Sequence, residues 1–405
     1  MGNAVREKFR LVVLTTGFAP VKGGIPTYTW EICKGLAVRG ADVTVIAVDA
    51  DQAVAFDRCT AAQRGMRVLR ARRRYGLREL SMLILGIYAC LKYRPDVVLA
   101  TIWLPCGILA LVLKALLRVP YVMTVHGYEV FRGTRTPRDR IRSATMWAMR
   151  LSANNASKIL CVSRFTREAA IRAGVDAAKT EYVPNGVDTS RFCRGPIDAG
   201  LRQRFGVPRG RMLLTVGELV DYKGQDRVIE ALPRVLAIHP DVVYVVIGRG
   251  GFLGELQRLV ARLEVESRVF FLGGVSDDDL LNWYREASLY VMVSRVNRET
   301  GDVEGFGIAF VEAGACGTPC IGGDSGGVPD AVIHGLTGEL VDPLDAKKVA
   351  DAIIRLLNHP ELMERYGRNA VVRARTEVDW RLIAERVDGV LCAAAQCDQS
   401  VVIQR

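Results

Sequence analysis

The stretch RLVVLTTGFAPVKGGIPTYTWEICKGLAVRGADVTVIAV, residues 10–48, decides the fold class of this chain. Its apolar run 10–16 predicts a strand, and a glycine-rich loop follows. Residues 26–39 predict a helix, and Gly40 stands where a helix C-cap favours glycine. The apolar run 42–48 predicts a second strand. A strand, a helix and a strand in this order predict parallel pairing with helices on both faces of the sheet.

The same alternation continues along the chain, breaks at a turn-forming segment, Pro184-Asn185-Gly186-Val187-Asp188, and then restarts. The further strand candidates are 96–100, 121–125, 159–162, 181–183, 211–216, 242–247, 269–272, 289–293, 319–322 and 338–341. We therefore expect an α/β protein with two doubly wound, Rossmann-like domains. Such domains bind ligands at the carboxyl ends of their strands, and we expect the two to face a cleft.

The length of 405 residues agrees with two or three domains at about 150 residues each. We place the N-terminal domain at 1–190 and the C-terminal domain at 191–375, with the linker in the glycine- and proline-rich segment 191–210. Residues 376–405 predict a C-terminal helix, which we expect to pack back on the N-terminal domain.

The formal net charge of +11 favours an anionic partner such as nucleic acid, an anionic membrane or a phosphorylated ligand. The basic residues form two clusters. They are Arg70, Arg72, Arg73, Arg74, Arg78, Lys92 and Arg94 in the first, and Arg132, Arg135, Arg138, Arg140 and Arg142 in the second. Few aromatic residues are interleaved with them, namely Tyr75, Tyr93 and Phe131, so we expect no nucleic-acid partner.

The longest apolar runs are 80–91 and 104–117, both shorter than the roughly 20 residues that span a bilayer. The first residues lack the apolar core of a signal peptide, so we expect a cytoplasmic protein. Residues 72–94 combine basic and apolar side chains. They fit an interfacial helix at the inner face of the cell membrane, and equally an ordinary surface helix with a buried stripe.

The strongest chemical motif is Glu304-Gly305-Phe306-Gly307-Ile308-Ala309-Phe310-Val311-Glu312, which follows a strand and opens a helix. The two glycines place Glu304 in the entering loop and leave Glu312 about one turn inside the helix. Free N–H groups at the helix N-terminus suit a diphosphate, and the two carboxylates suit hydroxyls of a sugar and of a ribose. The alternative is two glutamates with no shared role.

The motif resembles the Glu-x7-Glu motif of the family 4 retaining glycosyltransferases, which have the two-domain GT-B fold. Other segments resemble that family in the same order. They are Gly23-Gly24-Ile25 with Tyr28, His126-Gly127 with Glu129, the segment 184–188 with Phe192, Lys223-Gly224 with Asp226, and Gly326-Gly327-Val328-Pro329-Asp330. The resemblance covers most of the chain.

The resemblance implies a role for each matching residue, with the acceptor on the N-terminal domain and the nucleotide sugar on the C-terminal domain. It implies catalytic roles for Glu304, at the hydroxyls of the transferred sugar, and for His126, near the reacting sugar. The implied donor-binding residues are Glu312 at the ribose, Lys223 at the diphosphate, Gly23 and Gly24 in the first loop, and the backbone of Phe306, Gly307 and Ile308.

One position departs from the family. Many members carry Arg five residues before the Lys, as a second diphosphate contact, and this chain has Glu218 there. A carboxylate beside a diphosphate is repulsive at short range. Glu218 then points away, or Arg249 or another base substitutes, or the donor lies differently. Asp330 in place of Glu is a milder change.

The resemblance implies a hexosyltransferase that moves a hexose from GDP or UDP, with mannose favoured, to a lipid-linked or glycan acceptor with retention. No second carboxylate is apparent beside Glu304, which favours front-face displacement over a two-carboxylate mechanism. We expect no cofactor and no metal. Asp49 with Asp51 has no clustered partner, and Asp277-Asp278-Asp279 is explained by capping of the next helix.

Two other classes stay open as alternatives to a glycosyltransferase. A sugar-nucleotide epimerase can share the two-domain fold, and a basic chain can bind nucleic acid. A dinucleotide-dependent oxidoreductase is disfavoured, because the G-x-G-x-x-G fingerprint is absent after the first strand.

Overall fold

The computed structural model describes residues 9–74, 76–127 and 139–403, and within them the chain forms two compact units. The first unit comprises 9–127, 139–185 and 380–403, and the second comprises 186–379. Several residues named above lie outside the described part of the chain, or lie in it with side chains that are not described. They are Tyr75, Glu129, Phe131, Arg132, Arg135, Arg138, Arg140 and Arg142.

The chain passes from one unit to the other at 185–186 and back at 379–380, a few residues from the boundaries expected at 190 and 375. The Val187 N–H donates to the Val378 carbonyl at 2.8 Å, so the second unit includes both crossing segments. The segment 191–210 likewise packs on the second unit, where Arg202 donates to Glu286 at 2.6 Å.

The strands of both units are parallel. They are β1 Arg10–Thr15, β2 Asp42–Val48, β3 Arg67–Ala71, β4 Val97–Ala100, β5 Tyr121–Val125, β6 Lys158–Cys161, β7 Thr180–Tyr182, β8 Met212–Val216, β9 Val243–Ile247, β10 Val269–Gly273, β11 Leu289–Met292, β12 Cys320–Gly323 and β13 Gly338–Val341. Within the described residues the sheet of the first unit has the order β3-β2-β1-β4-β5-β6-β7, and that of the second has the order β10-β9-β8-β11-β12-β13.

The helices separate the strands as the alternation predicts. They are α1 Gly24–Val38, α2 Ala53–Phe56, α3 Leu77–Tyr93, α4 Ile108–Leu117, α5 Asp139–Asn155, α6 Arg164–Arg172, α7 Leu201–Arg204, α8 Gln225–Ile238, α9 Leu253–Arg262, α10 Asp277–Glu286, α11 Ile308–Ala315, α12 Val328–Ala331, α13 Ala346–Asn358, α14 Pro360–Thr376 and α15 Trp380–Ile403. No helix within the described residues is long and apolar enough to cross a bilayer.

Strand β3 is the one strand of the described sheets that the pattern of the sequence does not predict. Arginines interrupt its apolar residues, so its sequence resembles a basic cluster and not a strand. Arg67 donates to Asp42 at 2.9 Å and Arg70 donates to Asp57 at 2.6 Å. These ion pairs allow arginines to occupy a strand at the edge of the sheet, so Arg70 faces the protein and not an external anion.

Helix α15 completes the first unit by packing on α1. A Cβ atom on Gly35 would come within 2.4 Å of the Ala384 Cβ, which shows how closely the two helices approach. Arg39 donates to Asp388 at 3.2 Å beside this contact.

Each sheet has a mainly apolar core. In the first unit the core includes Val12, Val98 and Met123, all fully buried. In the second unit it includes Leu213, Val246 and Val291. Because all strands in a unit are parallel, their carboxyl ends share one edge, and the polar residues of the sequence motifs follow those ends.

Candidate functional site

An ion pair between Lys223 and Glu304 lies at the carboxyl edge of the second sheet. The Lys223 ammonium donates a short hydrogen bond to Glu304 Oε2, and the two side chains are only 15% and 13% exposed. Burial acts to lower the pKa of Lys223, but the charge and hydrogen bond of Glu304, together with Tyr222 and Glu218, outweigh it, so the pKa is raised. Lys223 is therefore a fixed cation, and Glu304 occupies the loop position that the motif predicted.

The Gly326-Gly327 pair supports the backbone that carries Glu304. The Gly327 N–H donates to the Glu304 carbonyl at 2.8 Å. A Cβ on Gly327 would lie 1.9 Å from the Gly305 carbonyl oxygen, and one on Gly326 would lie 2.6 Å from that of Glu304. No side chain fits in such contacts, so both glycines are needed for this loop to pack as it does.

The helix of the motif begins at Ile308, directly after the loop. Gly307 has a φ of 94°, which favours glycine, and a Cβ there would lie 2.6 Å from the Phe310 ring. Phe306 is buried in the core. Within the described residues no side chain caps this N-terminus, so its backbone N–H groups can bind an anion beside Glu304.

Glu312 lies about one turn inside α11 and is held by a residue outside every sequence motif. The Tyr284 hydroxyl on α10 donates to Glu312 Oε2 at 2.8 Å. Burial raises the pKa of Glu312, while the hydrogen bond from Tyr284 and the charge of Arg191 act to lower it. Nothing in the spacing of the chain relates Tyr284 to Glu312, so only the packing of α10 on α11 reveals this contact.

Gly224 and Asp226 fix the loop that carries Lys223. Gly224 has a φ of 79°, and a Cβ there would lie 2.2 Å from the Val293 carbonyl oxygen. Asp226 forms two hydrogen bonds with Arg295, at 2.9 and 3.0 Å. The Lys-Gly segment is thus pinned to the chain that follows β11.

Glu218 is exposed and follows β8, and its negative charge helps to raise the pKa of Lys223. The neighbouring loop after β9 carries Arg249, also exposed. The two loops are in close contact, since the Leu219 N–H donates to the Arg249 carbonyl at 3.0 Å. A Cβ on Gly248 or Gly250 would lie within about 2 Å of a carbonyl oxygen of the Glu218 loop. The glycines on either side of Arg249 therefore allow the two loops to approach each other this closely.

His126 belongs to the first unit, where it follows β5. Its Nε2 lies 2.9 Å from the Thr101 carbonyl, and a carbonyl only accepts, so Nε2 carries the proton. The ring lies edge-on to Tyr28, with the centroids 4.9 Å apart. Burial lowers the pKa of His126 to about 4. The imidazole is therefore neutral near pH 7, and its catalytic role stays a prediction.

Gly23 and Gly24 lie at the N-terminus of α1. Gly23 has a φ of 144°, a conformation that side chains rarely adopt. A Cβ on Gly24 would meet no described atom within 4 Å. The fold therefore has no steric need for glycine at position 24. The implied role of Gly24 at a ligand stays a prediction.

The aspartate patterns are explained by local structure. Ser276 accepts a hydrogen bond from the Asp279 N–H at 3.1 Å, which confirms that this segment caps α10. Asp51 pairs with Arg73 at 2.8 Å. Among the described residues no three His, Cys, Asp or Glu side chains are grouped as metal ligands. Independence from metal stays a prediction.

Two doubly wound, parallel α/β units are the fold of the glycosyltransferases of the GT-B class. Residues 22–191 match the sequence model of "Glycosyltransferase Family 4", and residues 201–373 match that of "Glycosyl transferases group 1". The chain belongs to the family 4 glycosyltransferases.

Relatives of known activity cover almost the whole chain. It is 31% identical over 395 residues to a GDP-mannose-dependent alpha-(1-6)-phosphatidylinositol monomannoside mannosyltransferase from Mycolicibacterium smegmatis, covering 96% of this chain and 100% of the relative. The protein of the same name from Mycobacterium tuberculosis is 32% identical over 357 residues, covering 86% and 89%. The fold is similar to that of Anabaena HepE in complex with UDP and glucose, with a TM-score of 0.78, 22% identity and coverage of 95% and 100%.

Proposed function

We propose that this glycosyltransferase moves mannose, or another hexose, from a GDP- or UDP-linked donor to a lipid-linked acceptor, with retention. The observation that carries the proposal is the Lys223–Glu304 pair beside the N-terminus of α11. The relatives named for GDP-mannose and a phosphatidylinositol mannoside support mannose and a lipid-linked glycan acceptor.

Different polar groups of the second unit bind different parts of the donor. The Lys223 ammonium and the N–H groups that open α11 stabilise negative charge on the leaving diphosphate without a metal. Glu304 accepts hydrogen bonds from hydroxyls of the sugar, and Glu312 accepts them from the ribose. The departing phosphate takes the proton of the acceptor hydroxyl, so no further base is required.

Incubation with a panel of nucleotide sugars tests the proposal. Release of GDP or UDP is followed with and without a phosphatidylinositol mannoside, in the presence and absence of a chelator. We expect release from a GDP- or UDP-hexose, faster with the acceptor and unchanged by the chelator, and a product whose anomeric configuration by NMR matches the donor. Absence of release from every donor would contradict the proposal.

We also propose that helix α3 holds the protein on an anionic membrane surface at the cytoplasmic face. Its outward residues Leu77, Leu80, Ile84, Tyr88 and Leu91 are 42% to 64% exposed and recur at intervals of three and four. They form one apolar stripe along the helix. The opposite face contains Gly86, whose Cβ position lies 3.1 Å from Leu113 of α4.

Basic residues at both ends of α3 supply charge complementarity to anionic lipid. Arg72 and Arg74 precede the helix and are exposed, and Lys92 and Arg94 end it. Each basic residue near an anionic surface adds about 1 kcal/mol of attraction. An apolar stripe between basic ends is typical of a helix that lies in the plane of the interface.

Sedimentation with vesicles tests the membrane surface. Leu80→Gln, Ile84→Gln and Leu91→Gln combined should abolish binding to vesicles with anionic lipid. Ile238→Gln, Leu336→Gln and Leu344→Gln combined remove equally exposed residues of the second unit and should leave binding intact. Arg72→Gln with Arg74→Gln should weaken it about 30-fold at low salt. Binding that neither salt nor the triple substitution in α3 weakens would contradict this proposal.

A further inference from the structure

Tyr284 stands in a position to control the ribose-binding carboxylate. Its side chain is completely buried, and its ring contacts two other rings, Phe192 at 5.8 Å and Tyr290 at 6.0 Å between centroids. Its carbonyl accepts a hydrogen bond from Thr318 at 2.6 Å. The ring is thus fixed on several sides, and its hydroxyl has one defined direction.

That direction is toward Glu312. The Tyr284 hydroxyl donates to Oε2 at 2.8 Å, and among the described residues no hydrogen bond reaches Oε1. Burial raises the pKa of Tyr284 well above its ordinary value, so the hydroxyl stays protonated and always donates. One carboxylate oxygen is therefore occupied and the other is left to accept from a ligand.

We propose that Tyr284 is a positioning residue for ribose recognition, which fixes the Glu312 carboxylate by one oxygen so that the other accepts from the ribose hydroxyls. This inference rests on the proposed function, because it requires Glu312 to contact the ribose of the donor. Tyr284 acts only through Glu312 and does not contact the reacting atoms. Its loss should weaken nucleotide binding and leave the chemical step nearly unchanged.

Tyr284→Phe keeps the ring and removes the hydroxyl. We expect it to raise the donor KM and the Kd of GDP or UDP about tenfold, with kcat within about twofold. Tyr244→Phe is the matched control. Tyr244 is equally buried, and its hydroxyl bonds to Thr215 at 2.7 Å in the same unit. This control should leave the KM unchanged.

The ribose itself supplies the readout that a merely structural role would not change. The wild type should bind GDP or UDP more tightly than the 2′,3′-dideoxy nucleotide, and Tyr284→Phe should reduce that preference about tenfold. Against the dideoxy nucleotide the variant and the wild type should bind equally. In a Glu312→Gln background Tyr284→Phe should have no further effect on ribose preference.

The pH dependence gives a second readout. Burial raises the pKa of Glu312 and the Tyr284 hydroxyl lowers it, so Tyr284→Phe should raise it further. The pH below which ribose preference is lost should therefore move upward. The other charged or titratable groups near Glu312 stay the same in both proteins, namely Arg191, Asp277, Tyr290 and Cys316.

The outcomes separate the inference from the proposed function. If the wild type binds neither GDP nor UDP, both are overturned. If the wild type shows ribose preference and Tyr284→Phe retains it in full, only the role of Tyr284 is overturned. Failure of Tyr284→Phe to fold, while Tyr244→Phe and Glu312→Gln fold, would assign the hydroxyl a structural role and overturn it also.

Discussion

The two units have the same scaffold and different surfaces. Numbered from its own first strand, each sheet has the order 3-2-1-4-5-6, and the first adds a seventh strand. At the strand ends of the second unit lie the charged Lys223 and Glu304, whereas His126 in the first unit is buried and neutral. One topology thus presents charges suited to a nucleotide sugar in one unit. In the other it presents the neutral His126 and a helix, α3, with an exposed apolar stripe.

The largest effect should follow a change in the charged pair. Glu304→Gln should lower kcat about 100-fold or more, because it would remove the proposed carboxylate contact with the transferred sugar. It also releases Lys223 from its partner, so the Kd of GDP or UDP should fall or stay constant. Turnover assays and nucleotide titration check both. Weaker nucleotide binding with unchanged kcat would remove Glu304 from the sugar and break the contrast between the units.

A backbone change in the second unit should be nearly as costly. Gly327→Ala places a methyl group against the Gly305 carbonyl and forces the Glu304 loop to move. Displacement of about 1 Å at a reacting group can cost about 100-fold, and we expect a loss of kcat of that order. Gly251→Ala is the control, since a Cβ there meets no described atom within 4 Å. Equal activity of the two variants would show that the loop is not pinned.

Position 218, where this chain has Glu and many family members have Arg, predicts a smaller effect on donor binding. If Arg249 replaces the missing diphosphate contact, Arg249→Gln should raise the KM of the donor about tenfold with little change in kcat. Arg258→Gln removes another exposed arginine of the second unit, one that pairs with Glu255, and serves as control. Equal KM values for the two variants would show that Arg249 does not replace the missing contact.

The smallest effect concerns the neutral His126 of the first unit. Because burial lowers the pKa of His126 to about 4, this side chain should not titrate between about pH 5.5 and 8. His126→Asn should therefore lower kcat without changing the shape of the pH–rate profile in that range. If the wild-type pH–rate profile had an acid limb near pH 6.5 and His126→Asn removed it, the imidazole would not be buried and neutral.

The sequence predicted the fold well because parallel strands and their helices have strong, local patterns. Every strand candidate of the second unit corresponds to a strand of the structure, from Met212 to Val341. Strand β3 escaped because Arg67 and Arg70 interrupt its apolar residues, and their partners Asp42 and Asp57 lie in other elements. A pattern read along the chain contains no information about such partners.

By itself the sequence determined the class of fold, the loop position of Glu304 and the helical position of Glu312, since glycines, apolar spacing and caps act over a few residues. Only the tertiary structure decided which groups meet. It paired Lys223 with Glu304, placed Gly327 under the Glu304 loop and brought Tyr284 to Glu312. These contacts join residues far apart in the chain, and their energies depend on burial, which arises only when the elements of the second unit pack against one another.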